Sequence, residues 1–142
     1  MLHLPQGSSN AVIVGIDPGT TNLGLCTMEF DILTKEIKST RAKTFDANKF
    51  IDKHCEQTIL HGERFARIAT HRKNILAVLL SCNATYIAVE SPFMSIRMPG
   101  AYGALVEALV AIKEAVYAFD RNKVIQLIEP SLVKKAIGAK GH

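Results

Sequence analysis

The order of apolar runs predicts an α/β fold: a five-stranded mixed sheet, its first three strands antiparallel, flanked by helices in the order βββ-α-β-α-β-α. Three observations carry this. Val12–Ile16 is a nearly continuous apolar run, as a central strand buried on both faces requires. Two more β-rich runs follow with little chain between them, so they fold back as a meander. Beyond them, two long segments with apolar residues three and four apart alternate with short β-rich runs.

Residues 1–10 read as a flexible leader. After the first strand, Leu23–Phe30 and Ile32–Lys38 are the second and third, and residues 46–57 are polar and irregular, with no element assigned. Thr58–Ser81 is helical: Phe65, Ile68, Ala69, Ile75, Leu76, Leu79 and Leu80 share a face, with Arg64, Arg67, Arg72 and Lys73 mostly off it. His61 and His71 on this charged helix are expected in solvent. Thr85–Val89 is the fourth strand, and residues 91–100 form a loop broken by Pro92, Pro99 and Gly100.

The next helix, residues 100–120, has a main stripe of Tyr102, Leu105, Leu109, Ile112, Val116 and Phe119, with Val106, Val110 and Ala111 making its flanks apolar too. Such a helix is buried on two sides, one expected against the sheet and the other against a second subunit. Lys123–Ile128 is the fifth strand. Pro130 opens a final helix over 131–137, and Gly138 ends it.

The 142 residues, 48% hydrophobic and 21% charged, suit one globular domain over 1–142 without repeats or linkers. Cys26, Cys55 and Cys82 are odd in number and widely spaced, which favours reduced thiols over disulfides or a zinc site. No signal-like segment or membrane-length run occurs, so the expected location is the cytoplasm, with no membrane partner. From Arg121 onward, Arg121, Lys123, Lys134, Lys135 and Lys140 stand against Glu129 alone, and five minus one equals the whole net charge of +4. That basic end is either a polyanion-binding surface or a solvated tail.

Chemistry concentrates at two strand ends. Asp17 closes the first strand before Pro18-Gly19, where it either caps the turn or faces a ligand. Thr20, Thr21 and Asn22 in the same turn either contact phosphate or satisfy the turn itself. Glu90 ends the run Ile87-Ala88-Val89, where burial of an unpaired carboxylate is costly unless a cation neutralises it. Two such carboxylates begin a magnesium site, since magnesium takes hard oxygen ligands together with water and substrate phosphates. In the loop after Glu90, Phe93 either covers the core or stacks on bases while Arg97 holds phosphate. Lys134 and Lys135 lie at the start of the last helix, whose free amides can also face phosphate.

Taken in order, GIDPGTTNLGL, AVESPFM and EPSLVKKAIGAKG resemble the RuvC-type Holliday-junction resolvases, including phage members, from Val12 to the end of the chain. The resemblance implies a ribonuclease H-like fold, a homodimer, and Mg2+- or Mn2+-dependent hydrolysis of phosphodiesters in branched DNA. It makes Asp17 and Glu90 catalytic metal ligands, Phe93 the aromatic that stacks at the junction crossover, and Lys134 a basic residue near the scissile phosphate. The family pattern adds two carboxylates on a helix beyond the last motif, which this sequence lacks. The expectation is therefore a C-terminally truncated, phage-like member with weak metal binding and poor cleavage. A non-catalytic branched-DNA-binding module is the alternative. GIDPGTTNLGL also resembles the phosphate turn of actin-like ATPases, which use two lobes and a second glycine-rich loop not found here.

Overall fold

A computed structural model describes residues 9–138. Asn10–Asp17 forms β1, Asn22–Asp31 β2 and Glu36–Asp46 β3. A 3-10 turn at Ala47–Lys49 leads to α1, Glu56–Cys82. Tyr86–Glu90 is β4, Pro99–Phe119 α2, Ile125–Ile128 β5 and Pro130–Ala136 α3. The sheet order is β3-β2-β1-β4-β5; β1–β2 and β2–β3 are antiparallel, whereas β1–β4 and β4–β5 are parallel. The mixed five-stranded sheet with its antiparallel first half is the one the sequence predicts.

Alternation along the strands divides the sheet into two unlike faces. Val14, Ile16, Leu23, Leu25, Ile87 and Val89 point to one side and form a single core with Ile75 and Leu79 of α1 and Ile112, Ala115 and Val116 of α2. Both long helices therefore cover the same face. The opposite face carries small side chains in adjacent register: Ala88 and Gly15 on the parallel pair, then Cys26 and Ala42 across the antiparallel ones.

The third strand departs from the sequence reading. Asp31, buried at the end of β2, accepts the amides of Leu33 (2.9 Å) and Thr34 (3.1 Å), which turns residues 32–35 into a hairpin loop. The strand therefore begins at Glu36 and runs through the basic stretch to Asp46. The leader reading also changes at its end: Asn10 opens β1, and the Ser9 carbonyl accepts the Ile32 amide at 2.9 Å. Residues 1–8 lie outside the described residues. Helix α1 contains a break at Gly62 (φ 86°, ψ 163°), a conformation glycine adopts without steric penalty. His71 is the clearest correction. It is 4% exposed and belongs to the buried face of α1, where Ile68 and Ile75 stand three residues before and four after it.

Candidate active site

Two carboxylates meet where β1 and β4 end. The parallel register pairs Gly15 with Ala88 and Ile16 with Val89, so Asp17 and Glu90 stand one step further along on neighbouring strands. Partners in that register share a face. Both side chains line a cleft of about 410 Å3 on the side away from α1 and α2, whose floor includes Gly15, Gly24, Cys26, Ala42 and Ala88.

Neither carboxylate is spent on structure. Asp31, Asp46, Asp52 and Asp120 each accept a backbone amide within a turn. Asp17, the remaining aspartate of the sequence, accepts no hydrogen bond among the described residues, so it does not cap its turn. Among the described residues, Glu90 has no ion pair within bonding distance. Partial burial, then the negative charge of Asp17, push its pKa above the ordinary 4.5, with Lys134 opposing them. Two adjacent unpaired carboxylates raise each other's energy as anions, and a cation between them relieves it.

The turn joining β1 to β2 is built around two glycines. A Cβ at Gly19 would lie 2.1 Å from the Asn22 carbonyl oxygen, so only glycine lets the chain fold back this closely. Gly24 pairs directly with Asp17, and a Cβ there would come 3.2 Å from the Asp17 Cβ. Thr21 is anchored through its carbonyl, which accepts the Ala47 amide at 2.8 Å. The side chains of Thr20, Thr21 and Asn22 form no hydrogen bond among the described residues and remain available at the turn.

The remaining predicted residues come from the same end of the sheet. Ser91 donates its amide to the Ile128 carbonyl (2.8 Å), tying the loop after β4 to the end of β5. Phe93 is 54% exposed, so it does not cover the core, and Arg97 is exposed on the same loop. Lys134 is close enough to act on Glu90, and Val133 lines the cleft. Lys135 is exposed; Lys140 lies outside the described residues. The amides of Leu132 and Val133 bond to the Glu129 carbonyl, so α3 offers lysines rather than those amides to an anion. Lys43 borders the cleft, but it follows the alternation of its neighbour Phe45, a side chain packed on the core, and its amine lies 4.7 Å from the Phe45 ring centroid.

Asp17 and Glu90 are hard oxygen donors of the kind magnesium takes, with water and phosphate oxygens completing the shell. Among the described residues there is no group of three or more His, Cys, Asp or Glu side chains able to hold a metal. His71, buried under the turn, was missed in the sequence; its spacing to Ile68 and Ile75 was the available signal.

No protein-family model and no curated protein matches the sequence. Solved structures do. RuvC of Thermus thermophilus in complex with a Holliday junction substrate is similar over 91% of this chain and 71% of its own, with 23% identity and a TM-score of 0.63. A second Thermus thermophilus RuvC structure gives 24% identity and a TM-score of 0.61, covering 92% of this chain and 71% of that one. The Fowlpox virus resolvase with its Holliday junction DNA covers 92% of this chain and 64% of its own, at 14% identity and a TM-score of 0.50. The fold is RuvC-like, of the ribonuclease H type. No described helix is long and apolar enough to cross a membrane.

Proposed function

We propose that this protein is a structure-selective DNA endonuclease that resolves Holliday junctions and related branched DNA by metal-dependent phosphodiester hydrolysis, acting as a homodimer. The observation that carries this is the juxtaposition of Asp17 and Glu90, unpaired by any cation or amide among the described residues, in an open cleft of a RuvC-like fold. Two of the solved structures of similar fold, Thermus RuvC and the Fowlpox virus resolvase, are complexes with Holliday junction DNA.

Bound Mg2+ or Mn2+ would activate water and neutralise charge at the scissile phosphate; two-ion catalysis needs ligands beyond Asp17 and Glu90. The protein's own residues bind and orient. Asp17 and Glu90 hold negative charge at the cleft mouth, which favours a cation and disfavours a bare phosphate. Lys134 supplies a compensating charge beside Glu90. Phe93, with an exposed ring on the loop after β4, offers a stacking surface for an unpaired base at a branch point, with Arg97 for a nearby phosphate. Thr20, Thr21 and Asn22 present hydroxyls and an amide at the β1–β2 turn, and Lys135 and Lys140 add charge for the DNA backbone.

The dimer reading rests on α2, which leaves Tyr102, Val106, Val110 and Tyr117 exposed on its outer side after packing on the core. A two-fold pair through this surface presents two clefts to a two-fold substrate. Phosphodiester cleavage of a labelled four-way junction in Mg2+ or Mn2+ tests the activity. Asp17→Asn should lose cleavage while retaining junction binding. A second reading, a junction-binding module without cleavage, is favoured by the absence of a three-ligand group among the described residues. Junction binding equal in wild type and Asp17→Asn, with no cleavage by either, would select it.

A further inference from the structure

Three polar side chains on one face of α1 end inside the protein with atoms that find no partner: Arg67 Nε, both ring nitrogens of His71, and Asn74 Nδ2. Spacings of four and three residues align them along the helix. His71 is the most deeply buried, at 4% exposure. Its ring, with Ile68 and Ile75, lines a void of about 10 Å3 directly beneath Pro18 and Gly19. Burial pushes its pKa below 6.5, while the backbone of Thr21 and Thr20 acts in the opposite sense. A neutral imidazole carries one N–H donor and one acceptor, and here neither ring nitrogen has a hydrogen-bond partner.

Folding alone would favour a different residue here. A leucine would fill the same space without burying two unpaired polar atoms. Buried polar groups that break such a rule concentrate where function constrains the local geometry. The constraint at this place is visible. The turn above the ring begins at Asp17 and returns the chain to Gly24, the residue that faces Asp17 across the ladder. Among the described residues, the Thr21 carbonyl accepts the Ala47 amide and Asp17 accepts no hydrogen bond.

We propose that His71 is a positioning residue: from α1, its imidazole packs beneath Pro18 and Gly19 and supports the turn so that the Asp17 carboxylate stays beside Glu90. The role rests on reading Asp17 and Glu90 as a metal site, but the effect is on the turn and can be measured there.

The test uses the full chain, without DNA, as wild type, His71→Leu, His71→Met and His71→Gln. Amide hydrogen exchange is followed at Thr20, Thr21 and Asn22, and Mn2+ binding is titrated in parallel. The apolar variants should melt at or above the wild-type temperature, yet exchange at the turn should accelerate about tenfold. Mn2+ should bind about tenfold more weakly, as when a group supporting a metal ligand is removed. His71→Gln, which keeps a donor and an acceptor, should restore both. Wild-type exchange at the turn in whichever apolar variant folds would overturn the proposal. Mn2+ binding indifferent to Asp17→Asn would instead overturn the metal reading, leaving the exchange rates to decide the role of His71.

Discussion

Gly24 stands opposite Asp17 across the β1–β2 ladder, and a Cβ on it would lie 3.2 Å from the Asp17 Cβ and 3.7 Å from Oδ2. The empty space at position 24 is thus the room that the carboxylate occupies. Gly24→Ala removes backbone freedom from the unfolded chain, which in a strand is worth about 0.5–1 kcal/mol, and crowding offsets it. The expected result is a small change in stability with Mn2+ affinity reduced about tenfold, equivalent to about 1.4 kcal/mol. Gly24→Val should weaken binding further. Calorimetric titration giving wild-type affinity for both variants would remove Gly24 from the site.

Glu90 sets the pH behaviour of the cleft. Its folded pKa lies above 4.5, so the folded protein holds this proton more tightly than the unfolded chain does. Stability from that preference is present below about pH 4.5 and is lost as pH rises through the folded value. Glu90→Gln, in EDTA, should therefore be more stable than wild type at neutral pH, and the difference should vanish below about pH 4.5. Chemical denaturation at several pH values measures it; a difference independent of pH would contradict the electrostatic origin. The same variant should not cleave junctions, the usual opposition of stability and activity at a charged site.

For His71 the sign is reversed. Its folded pKa is below 6.5 because burial outweighs the Thr21 and Thr20 backbone, with Arg67 adding to the depression and Asp46 opposing it. As pH falls, the unfolded chain takes up the proton first, so stability is complete above about pH 6.5 and declines below it. The stability of wild type relative to His71→Gln should accordingly fall between pH 7.5 and 5.5, since glutamine does not titrate. Parallel denaturation curves at the two pH values would exclude a buried, neutral ring.

Val110 is 52% exposed on α2, between Val106 and Tyr117 on the same outer face. Val110→Glu places a charge where a second copy would pack and leaves the core side of the helix, Ile112, Ala115 and Val116, untouched. Light scattering should show a dimer for wild type and a monomer for the variant, with unchanged melting of secondary structure. Two species of equal mass would place the subunit contact elsewhere or nowhere.

How much of this could be read from the sequence depends on what each residue had to satisfy. β1 and β4 were legible because Val14, Ile16, Ile87 and Val89 are fully in the core, and their apolar runs end visibly on Asp17 and Glu90. β3 was misplaced because Glu36–Asp46 is an edge strand with almost every side chain in solvent, so no apolar alternation marks it. The decisive signal was a turn residue, Asp31, whose bonds to Leu33 and Thr34 only the fold reveals. At the site, the register of two parallel strands brings Asp17 and Glu90 together, and 72 residues of intervening sequence conceal it. His71 was hidden by its charged neighbours Arg72 and Lys73, which point outward from the same turn of helix.

The sheet's two borders bear on how copies of this protein can meet. β3 has 11 residues, enough to template another strand, yet it carries Lys38, Arg41 and Lys43, and its pairing with β2 shifts register between Glu29 and Phe30. Like charges and an irregular ladder both oppose the antiparallel joining of two such borders. At the other side, β5 offers only four residues, too few for a lasting ladder. Growth by strand addition is discouraged at both ends, which leaves the helical surfaces as the faces through which the proposed dimer would form.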